Sequence, residues 1–482
     1  MSYKLLSDRE TVIEKINNAP TSKYHYMVWL VSGMGFFTDA YDLFIIGAVL
    51  TLLPLAGWNE LTSFETSLLA STALISAVIG AIAFGWLLDH LGRRAVYGLE
   101  LAILIIGALG SALLTPINAV YILMAWRFML GIGIGGDYAA SSTIMAEYSS
   151  TKNRGKLVGM VFSMQSLGLL AGPLVTLALL FSGIAPTLIW KLLLAFGSVP
   201  ALLVIYWRRH IPETPKFSVG VRGDTGRASR DLYSFTGVRV EVTKEKVQIV
   251  KVKWHKLFTD KRLLLLMLGT AGSWFLMDWA LYGNSIMSST MLGLLVPSVI
   301  KGLQRLIITT EYTALVFGLA AVPGYWLATF TIDRIGRKPI QAIGFLAMAA
   351  SFLLLGIIPG IMSPATVIEF LSLYGVSYFF IEFGPNVTTF IYPPEVYPVP
   401  VRGLGTGISA AGGKIGASLG TLLNLAIIAS FGESGLFILL AFFSLIGLVL
   451  TIALLPESKM KALEESSQEE KYLTEKPVII VK

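Results

Sequence analysis

The sequence contains no cysteine, only four histidines and few charged residues. Without cysteine, the 482 residues can form no disulfide, no thiolate metal site and no thiol nucleophile. Charged residues make up 14% of the chain and hydrophobic residues 55%, whereas a soluble domain has about 25% and about 45–50%. These proportions exclude a soluble enzyme, a nucleic-acid-binding protein and a disordered protein. They indicate a polytopic membrane protein.

Twelve stretches of mostly apolar residues are long enough to cross a bilayer as helices, the form in which a single segment pairs all of its own backbone groups in lipid. They cover 26–54, 66–88, 95–115, 119–146, 156–181, 188–207, 263–292, 311–331, 338–360, 367–392, 403–430 and 434–455. We therefore predict an all-α membrane protein of twelve helices. Its predicted parts are an N-tail (1–25), a six-helix bundle (26–207), a linker loop (208–262), a second six-helix bundle (263–455) and a C-tail (456–482).

The basic residues predict the orientation of the chain. Of 37 lysines and arginines, 32 lie in the two tails and in the loops that follow even-numbered spans, and only Lys301 and Arg305 lie in the opposite loops. Because lysine and arginine collect on the cytoplasmic side of membrane proteins, both tails are predicted to be cytoplasmic. The net charge of +7 then reflects membrane orientation rather than nucleic-acid binding.

The linker loop is polar and basic. Val238, Val240 and Val242 alternate with polar residues, which is compatible with a short strand. A solvated linker is the interpretation that its composition favours.

The two halves of the sequence contain matching motifs in the same order. DHLGRR begins at Asp89 and DRIGRK at Asp333, EYSSTKNRG begins at Glu147 and EVYPVPVRG at Glu395, and PETPK begins at Pro212 and PESK at Pro456. Three ordered pairs at nearly one spacing, all on the predicted cytoplasmic side, indicate a duplicated six-helix unit. Parallel repeats of this kind suit alternating access around a site at the middle of the membrane.

The repeated loops predict a latch that holds the cytoplasmic side closed. Asp89 can cap a neighbouring helix and meet Arg93, and simple membrane anchoring by basic residues is the alternative. Glu100 and Glu147 lie near the same side and are expected in the latch. The predicted gating residues are Asp89, Arg93, Glu147, Arg154, Asp333, Arg337, Glu395 and Arg402.

Three motifs identify the chain as similar to the major facilitator superfamily. GWLLDHLGRR (85–94) resembles the superfamily's loop motif, RFMLGIGIGG (127–136) its fourth-span motif and PETPK (212–216) the motif after the sixth span. In the second copy of the loop motif, Thr329 stands where the first copy has Gly85. The resemblance implies two six-helix bundles and transport.

Ionisable residues at membrane depth are costly and are functional candidates by default. The sequence places seven there: Asp39, Asp42, Arg127, Asp137, Asp278, Glu382 and Lys414. The spacing of three puts Asp39 and Asp42 on one helix face. Two carboxylates close together in a low dielectric cannot both stay ionised cheaply, which suits a proton carrier. Gln165 and Asn386 are polar residues in spans that could equally be interhelical contacts.

GFFTDAYDLF (35–44), GGDYAASSTIMAE (135–147), GSWFLMDWALYGNS (272–285) and FGPNVTTF (383–390) together resemble the phosphate:proton symporters of the superfamily. The resemblance implies a proton-coupled transporter whose partners are inorganic phosphate, protons and the lipid bilayer, in the cell membrane and as a monomer. The implied substrate-binding residues are Tyr138, Gln165, Trp274, Asp278, Tyr282, Asn386 and Lys414, and the proton-coupling residues are Asp39, Asp42, Asp137 and Asp278.

Alternative functions stay open at this point. Ala139, Ala140 and Glu382 depart from the symporter pattern. A symporter of another small metabolite, such as an organic acid or sugar, is therefore an alternative. A membrane sensor that signals through the linker or C-tail is a third reading. We expect no cofactor, no nucleic acid and no enzyme activity, because the sequence has no metal-ligand cluster, no nucleotide-binding loop of the GKS/T type and no nucleophile triad.

Overall fold

The structure is a computed structural model that describes residues 8–242, 249–251, 253–286 and 288–475. In this part of the chain, eleven helices are long and apolar enough to cross a membrane. They are Lys23–Leu52, Ser63–Leu91, Arg93–Leu113, Val120–Tyr148, Arg154–Phe181, Pro186–His210, Lys261–Ile286, Gly302–Ile335, Arg337–Ile357, Val367–Val396 and Val399–Leu454. The first ten are numbered below as spans one to ten in this order.

The last of these helices contains spans eleven and twelve. Its continuous part, Arg402–Leu454, has 53 residues and would be about 80 Å long if straight, far more than the ~30 Å apolar core of a bilayer. The chain turns back at Gly432, whose φ of 70° and ψ of 175° are not helical. A left-handed φ favours glycine, which has no Cβ to clash. The predicted fold class of twelve membrane-spanning helices is confirmed.

The spans pack as two bundles that meet along two seams. Within the first half, span one packs on span five and span two on span four. Within the second half, span seven packs on span eleven and span nine on span twelve. Between the halves, span two packs on span eleven and span five on span eight. The two seams are related by the sequence repeat, so the halves are joined in a pseudo-symmetric way.

Glycine allows the closest approach at one seam. A Cβ on Gly85 would lie 2.5 Å from the backbone oxygen of Gly403, so no larger residue fits without separating spans two and eleven. At the equivalent seam the small residue is Gly159, which faces Thr329. The Thr329 hydroxyl is 2.7 Å from the hydroxyl of Ser163. The second copy of the motif therefore exchanges a glycine contact for a hydroxyl contact.

Short elements cover one side of the bundles, which is called the basic side below. They include the helices Asp8–Asn17, Pro215–Gly220, Thr225–Thr236, Lys256–Thr259 and Leu463–Ser467, and the antiparallel strands Ile249–Lys251 and Leu473–Glu475. The remaining short elements are Pro54–Ala56, Ser288–Gly293, Val399–Val401 and Glu469–Lys471. Spans eight and ten each contain a π-helical segment, Phe317–Ala321 and Glu382–Asn386.

The predicted solvated linker is wrong for its first part. Residues 213–221 are buried against the basic side of the bundles, and helix Pro215–Gly220 lies within them. The alternation at Val238, Val240 and Val242 does not form a strand, and the strand begins later, at Ile249. The alternating valines instead pack as partly buried residues against the core.

Candidate functional site

The predicted substrate-binding side chains meet between the two halves, near the middle of the spans. They come from spans four, five, seven, ten and eleven, and each is at most 1% exposed. The group consists of Tyr138, Gln165, Trp274, Asp278, Tyr282, Asn386 and Lys414. We call these residues, together with Tyr325, the central cluster. Polar side chains from both halves in one buried place form a site that a movement of the halves can open to either side.

Lys414 provides the positive charge of the central cluster. Its Nζ donates to Asp278 Oδ2 at 3.1 Å and to the hydroxyl of Tyr282 at 2.9 Å. The same nitrogen lies 4.1 Å from the ring centroid of Tyr138 and 4.2 Å from that of Tyr282. Asp278 Oδ1 has no hydrogen-bond partner among the described residues. The pair therefore offers one cation and one free carboxylate oxygen at the interface of the halves.

Hydrogen bonds extend the cluster across the interface. Gln165 Nε2 donates to the hydroxyls of Tyr138 and Tyr282 at 3.0 and 3.2 Å, and these hydroxyls are 3.0 Å apart. The Tyr325 hydroxyl donates to Gln165 Oε1 at 3.0 Å, and Asn386 Nδ2 donates to the Tyr325 hydroxyl at 2.6 Å. The sequence analysis did not identify Tyr325, because a single tyrosine in an apolar span has no pattern that distinguishes a functional residue from a packing residue.

Aromatic rings cover the central cluster on both sides. Away from the basic side, the ring of Phe44 stacks on that of Tyr282 with centroids 4.9 Å apart. Towards the basic side, Phe162 stacks on Phe390 at 4.4 Å, and Phe36 meets Phe390 edge-on at 4.9 Å. These apolar layers shield the cluster from water in this state.

The predicted proton-coupling residue Asp137 lies in a charged group inside the first half. Arg208 forms ion pairs with Asp137 at 2.9 Å and with Glu100 at 3.1 Å. Asp39 interacts electrostatically with Asp137, and neither of its oxygens has a hydrogen-bond partner among the described residues. Glu100 was expected in the latch, and this is wrong because it pairs with Arg208. Arg208 was missed because it was assigned to the basic linker, although it belongs to span six.

Asp42 points to a different cation. It packs closely against Gly197 of span six, where an added Cβ would collide with its carboxylate. It interacts electrostatically with Arg127 of span four. The side-chain nitrogens of Arg127 and the oxygens of Asp42 have no hydrogen-bond partners within the described residues. Asp39 thus interacts electrostatically with Asp42 as well as with Asp137, and Asp42 additionally with Arg127.

Six of the predicted gating residues, four arginines and two glutamates, form two matching ion-pair groups. Glu147 pairs with Arg93 of its own half at 2.7 Å and with Arg402 of the other half at 3.0 Å. Glu395 pairs with Arg337 of its own half and Arg154 of the other half, each at 2.7 Å. Arginine suits this arrangement because its fork donates several hydrogen bonds to carboxylates.

Asp89 and Asp333 close the basic side by capping helices of the opposite half. Asp89 accepts hydrogen bonds from the backbone amides of Gly403 and Leu404 at 2.9 and 2.8 Å. Asp333 accepts from the amides of Gly155 and Lys156 at 3.1 and 2.8 Å. These amides lie at the N-terminal ends of spans eleven and five, where a helix favours negative charge. Seven of the eight predicted gating residues thus form hydrogen bonds or ion pairs with the opposite half, and Arg337 holds Glu395 from its own half.

The C-terminal tail adds contacts that the sequence analysis missed. Glu469 pairs with Arg402 at 2.8 Å, and Glu464 pairs with Lys216 at 2.6 Å. Burial alone would raise the pKa of Glu464, but the neighbouring Lys216 ammonium outweighs it and lowers that pKa to about 2. Ser458 donates to Glu395. Short polar tails give no periodic signal, so these contacts could not be predicted from pattern.

Comparisons with known proteins agree over nearly the whole chain. A family model described as sugar (and other) transporter matches residues 28–469. The chain is 37% identical to the probable inorganic phosphate transporter 1-6 of Arabidopsis thaliana, covering 96% of this chain and 97% of that protein. It is 35% identical to the repressible high-affinity phosphate permease of Neurospora crassa, covering 96% and 89%.

Solved structures show the same fold. The proton:xylose symporter XylE of E. coli aligns with a TM-score of 0.75 at 22% identity, over 92% of this chain and 99% of that one.

Proposed function

Since the chain belongs to the sugar (and other) transporter family of the major facilitator superfamily, we propose that it takes up inorganic phosphate together with protons by alternating access. It is a multi-pass membrane transporter and not an enzyme. The proposed location is the cell membrane, with both tails in the cytoplasm and the protein acting as a monomer. The cytoplasmic orientation is supported by the concentration of lysine and arginine on the basic side.

One observation carries the proposal: Lys414 and Asp278 form a buried pair at the interface of the halves, surrounded by hydrogen-bond donors. Dihydrogen phosphate has oxygens that accept hydrogen bonds and P–OH groups that donate them. Lys414 supplies a cation for the anion, and the tyrosine hydroxyls and the amides of Gln165 and Asn386 can donate to its oxygens. Asp278 Oδ1, which lacks a partner among the described residues, can accept from a P–OH group.

The same pair supports proton coupling. With Asp278 ionised, its charge neutralises Lys414 and repels an arriving anion. A proton on Asp278 removes both effects, so proton and phosphate bind cooperatively, and by linkage each favours the other. Asp39 interacts electrostatically with Asp137, which pairs with Arg208 near the basic side, whereas Asp42 interacts with Arg127. We assign Asp39 and Asp137 the proton path to the basic side, with Asp42 as a further coupling residue.

Alternating access follows from where the halves touch. In this state the aspartate caps and arginine groups hold the basic side closed, and Phe44 and Phe36 lie on opposite sides of the central cluster. Release of substrate to the basic side requires the contacts of Asp89 and Asp333 to break. The eight gating residues therefore act as the latch in this proposal.

Labelled phosphate uptake into proteoliposomes tests the function. Uptake should rise with an inward proton gradient and collapse with a protonophore in the wild-type protein, and fall to the level of empty liposomes in Lys414→Ala. Absence of uptake under any gradient, in folded protein, would contradict the proposal. A panel of unlabelled sugars and organic acids in counterflow tests the alternative substrate class, which the family description and the proton:xylose symporter neighbour keep relevant.

A further inference from the structure

Glu382 is a buried carboxyl group beside the central cluster that the mechanism above does not use. It is 0% exposed and begins the π-helical segment Glu382–Asn386 of span ten. Gly384 in this segment has a non-helical backbone, and Pro385 has no amide hydrogen to donate. The irregular backbone is buried inside the protein, where such segments are tolerated at membrane depth. Glu382 itself keeps helical backbone angles, with φ −77° and ψ −43°.

The surroundings of Glu382 are polar, but none of the contacts recorded for it is with a cation. Asn386 Nδ2 donates to its Oε2, and its Oε1 has no hydrogen-bond partner among the described residues. Span eight contributes Tyr325 and the backbone of Gly324, and span seven contributes Asp278, which acts on Glu382 electrostatically. In the part of the chain that the structure describes, no lysine, arginine or histidine nitrogen lies within 4.0 Å of Glu382.

Spans ten and nine provide the remaining neighbours of Glu382 and its segment. Tyr378, on the same span as Glu382, interacts with it electrostatically. Span nine packs against the segment through Gly344, whose added Cβ would press on Gly384 and Pro385. The titratable groups around Glu382 are therefore two phenols and the Asp278 carboxyl group.

Glu382 differs in this respect from most other buried acids of the chain, and Asp39 and Asp42 share its lack of an ion pair among the described residues. Asp278 has Lys414, Asp137 and Glu100 have Arg208, and Glu147 and Glu395 have two arginines each. Burying an ionised carboxylate without a cation is far more costly than burying a paired one, and such a group takes up a proton instead. In the closed state Glu382 is therefore a neutral carboxylic acid.

The position of Glu382 links its charge to the substrate. Asn386 Nδ2 donates both to Glu382 and to Tyr325, and the Tyr325 hydroxyl continues to Gln165. An ionised Glu382 would place a second negative charge at the edge of the anion site, in addition to Asp278. If Glu382 stays ionised, phosphate must bind against this repulsion.

We propose that Glu382 carries a proton of its own in each transport cycle, in addition to the one on Asp278, which makes it a second coupling residue within the substrate site. This inference rests on the proposed phosphate symport. When the site faces the uptake side and phosphate enters, a proton passes from water on that side to a Glu382 carboxylate oxygen. When the site opens to the basic side, that O–H bond breaks and the proton passes to water there.

The proton-to-phosphate ratio tests the proposal. It is measured in proteoliposomes from the membrane potential and pH gradient at which labelled phosphate flux reverses. Glu382→Gln keeps the size and polarity of the side chain but cannot take up a proton. We expect it to move one proton fewer per phosphate than the wild type, and to show a smaller weakening of phosphate affinity at higher pH, since Asp278 still titrates. Glu369→Gln, on the exposed far end of the same span, should keep the wild-type ratio.

A second variant keeps the proposal testable if Glu382→Gln does not fold. Glu382→Asp remains titratable, so it should keep the wild-type ratio while the pH midpoint of phosphate affinity shifts. An unchanged ratio in Glu382→Gln, or an unchanged midpoint in Glu382→Asp, would overturn the proposal for Glu382 alone. A wild-type protein that moves no phosphate would instead overturn the function on which it rests.

Discussion

Glu147 and Glu395 occupy equivalent places in the two halves, and each binds one arginine of its own half and one of the other. The four ion pairs measure 2.7 to 3.0 Å. All of these side chains are at most 1% exposed. Each glutamate thus joins the halves at the basic side, and the repeat makes the closed state depend on two similar contacts rather than one.

Glu147→Gln should favour opening of the basic side. The substitution leaves Arg93 and Arg402 without their shared anion, and breaking a buried pair in this way costs about 3–5 kcal/mol. Because the chain has no cysteine, Ser163→Cys, buried at the seam with Thr329, can report opening directly. We expect a membrane-impermeant maleimide added at the basic side to react at least about tenfold faster in the Glu147→Gln background.

Two comparisons sharpen this prediction. Glu395→Gln should give a similar acceleration, because it breaks the equivalent group at the other seam. Glu465→Gln removes an exposed glutamate of the C-terminal tail and should leave the labelling rate unchanged. Equal rates in wild type and Glu147→Gln would show that the ion pairs do not hold the basic side closed.

Asp278→Asn should sharply reduce accumulation of phosphate against its gradient. An asparagine cannot take up and release a proton, so the proton of Asp278 no longer moves with phosphate, while the shape of the site is kept. Lys414, freed from its 3.1 Å pair, remains available to bind the anion. We therefore expect exchange of labelled for unlabelled phosphate to persist in counterflow, while concentrative uptake falls to at most the level that the proton proposed for Glu382 can drive. Accumulation at the wild-type level in this variant would remove Asp278 from the coupling mechanism.

Tyr325→Phe should weaken phosphate binding without changing coupling. The lost hydroxyl leaves Gln165 Oε1 and one hydrogen of Asn386 without a partner, at a cost of about 1–3 kcal/mol. We expect KM for phosphate to rise about tenfold, with an unchanged dependence on the proton gradient. Tyr374→Phe is the matched control, because its hydroxyl meets Tyr378 outside the central cluster. A rise in KM of the same size in both variants would assign the effect to packing.

Much of the fold could be predicted from the sequence. Apolar length and charge distribution depend on the bilayer alone, so they predicted the spans and placed the polar loops on one side. The repeat predicted a latch of eight residues, because Asp89 and Asp333, or Glu147 and Glu395, stand in matching motifs. The structure places all eight at the basic side, and their role in gating stays a prediction. The turn at Gly432, at which the chain passes from span eleven to span twelve, also lies between the predicted segments.

What the sequence analysis missed depends on contacts between distant segments. Arg208 stands in a run of basic residues at the end of span six, where charge alone indicates membrane anchoring, and only the packed structure shows its pairs with Asp137 and Glu100. Tyr325 is one tyrosine in an apolar span. Lys216 and Glu464 are 248 positions apart. No local period encodes such pairs, and without a repeat they have no signal in one sequence.

The ion pair of Lys216 with Glu464 should make attachment of the C-terminal tail depend on pH. The Lys216 ammonium, acting against burial, lowers the pKa of Glu464 from 4.5 to about 2. A lowered pKa means that the pair stabilises the attached tail fully above about pH 4.5 and progressively less as the pH falls towards 2.

A spin label on Glu465→Cys, an exposed neighbour, should gain mobility over that range. With Glu464→Gln added, the label should be mobile already at pH 7, whereas Glu470→Gln, also exposed, should behave as the labelled parent. A label equally immobile at pH 7 in the Glu464→Gln background would show that other contacts, such as Arg402 with Glu469 at 2.8 Å, hold the tail by themselves.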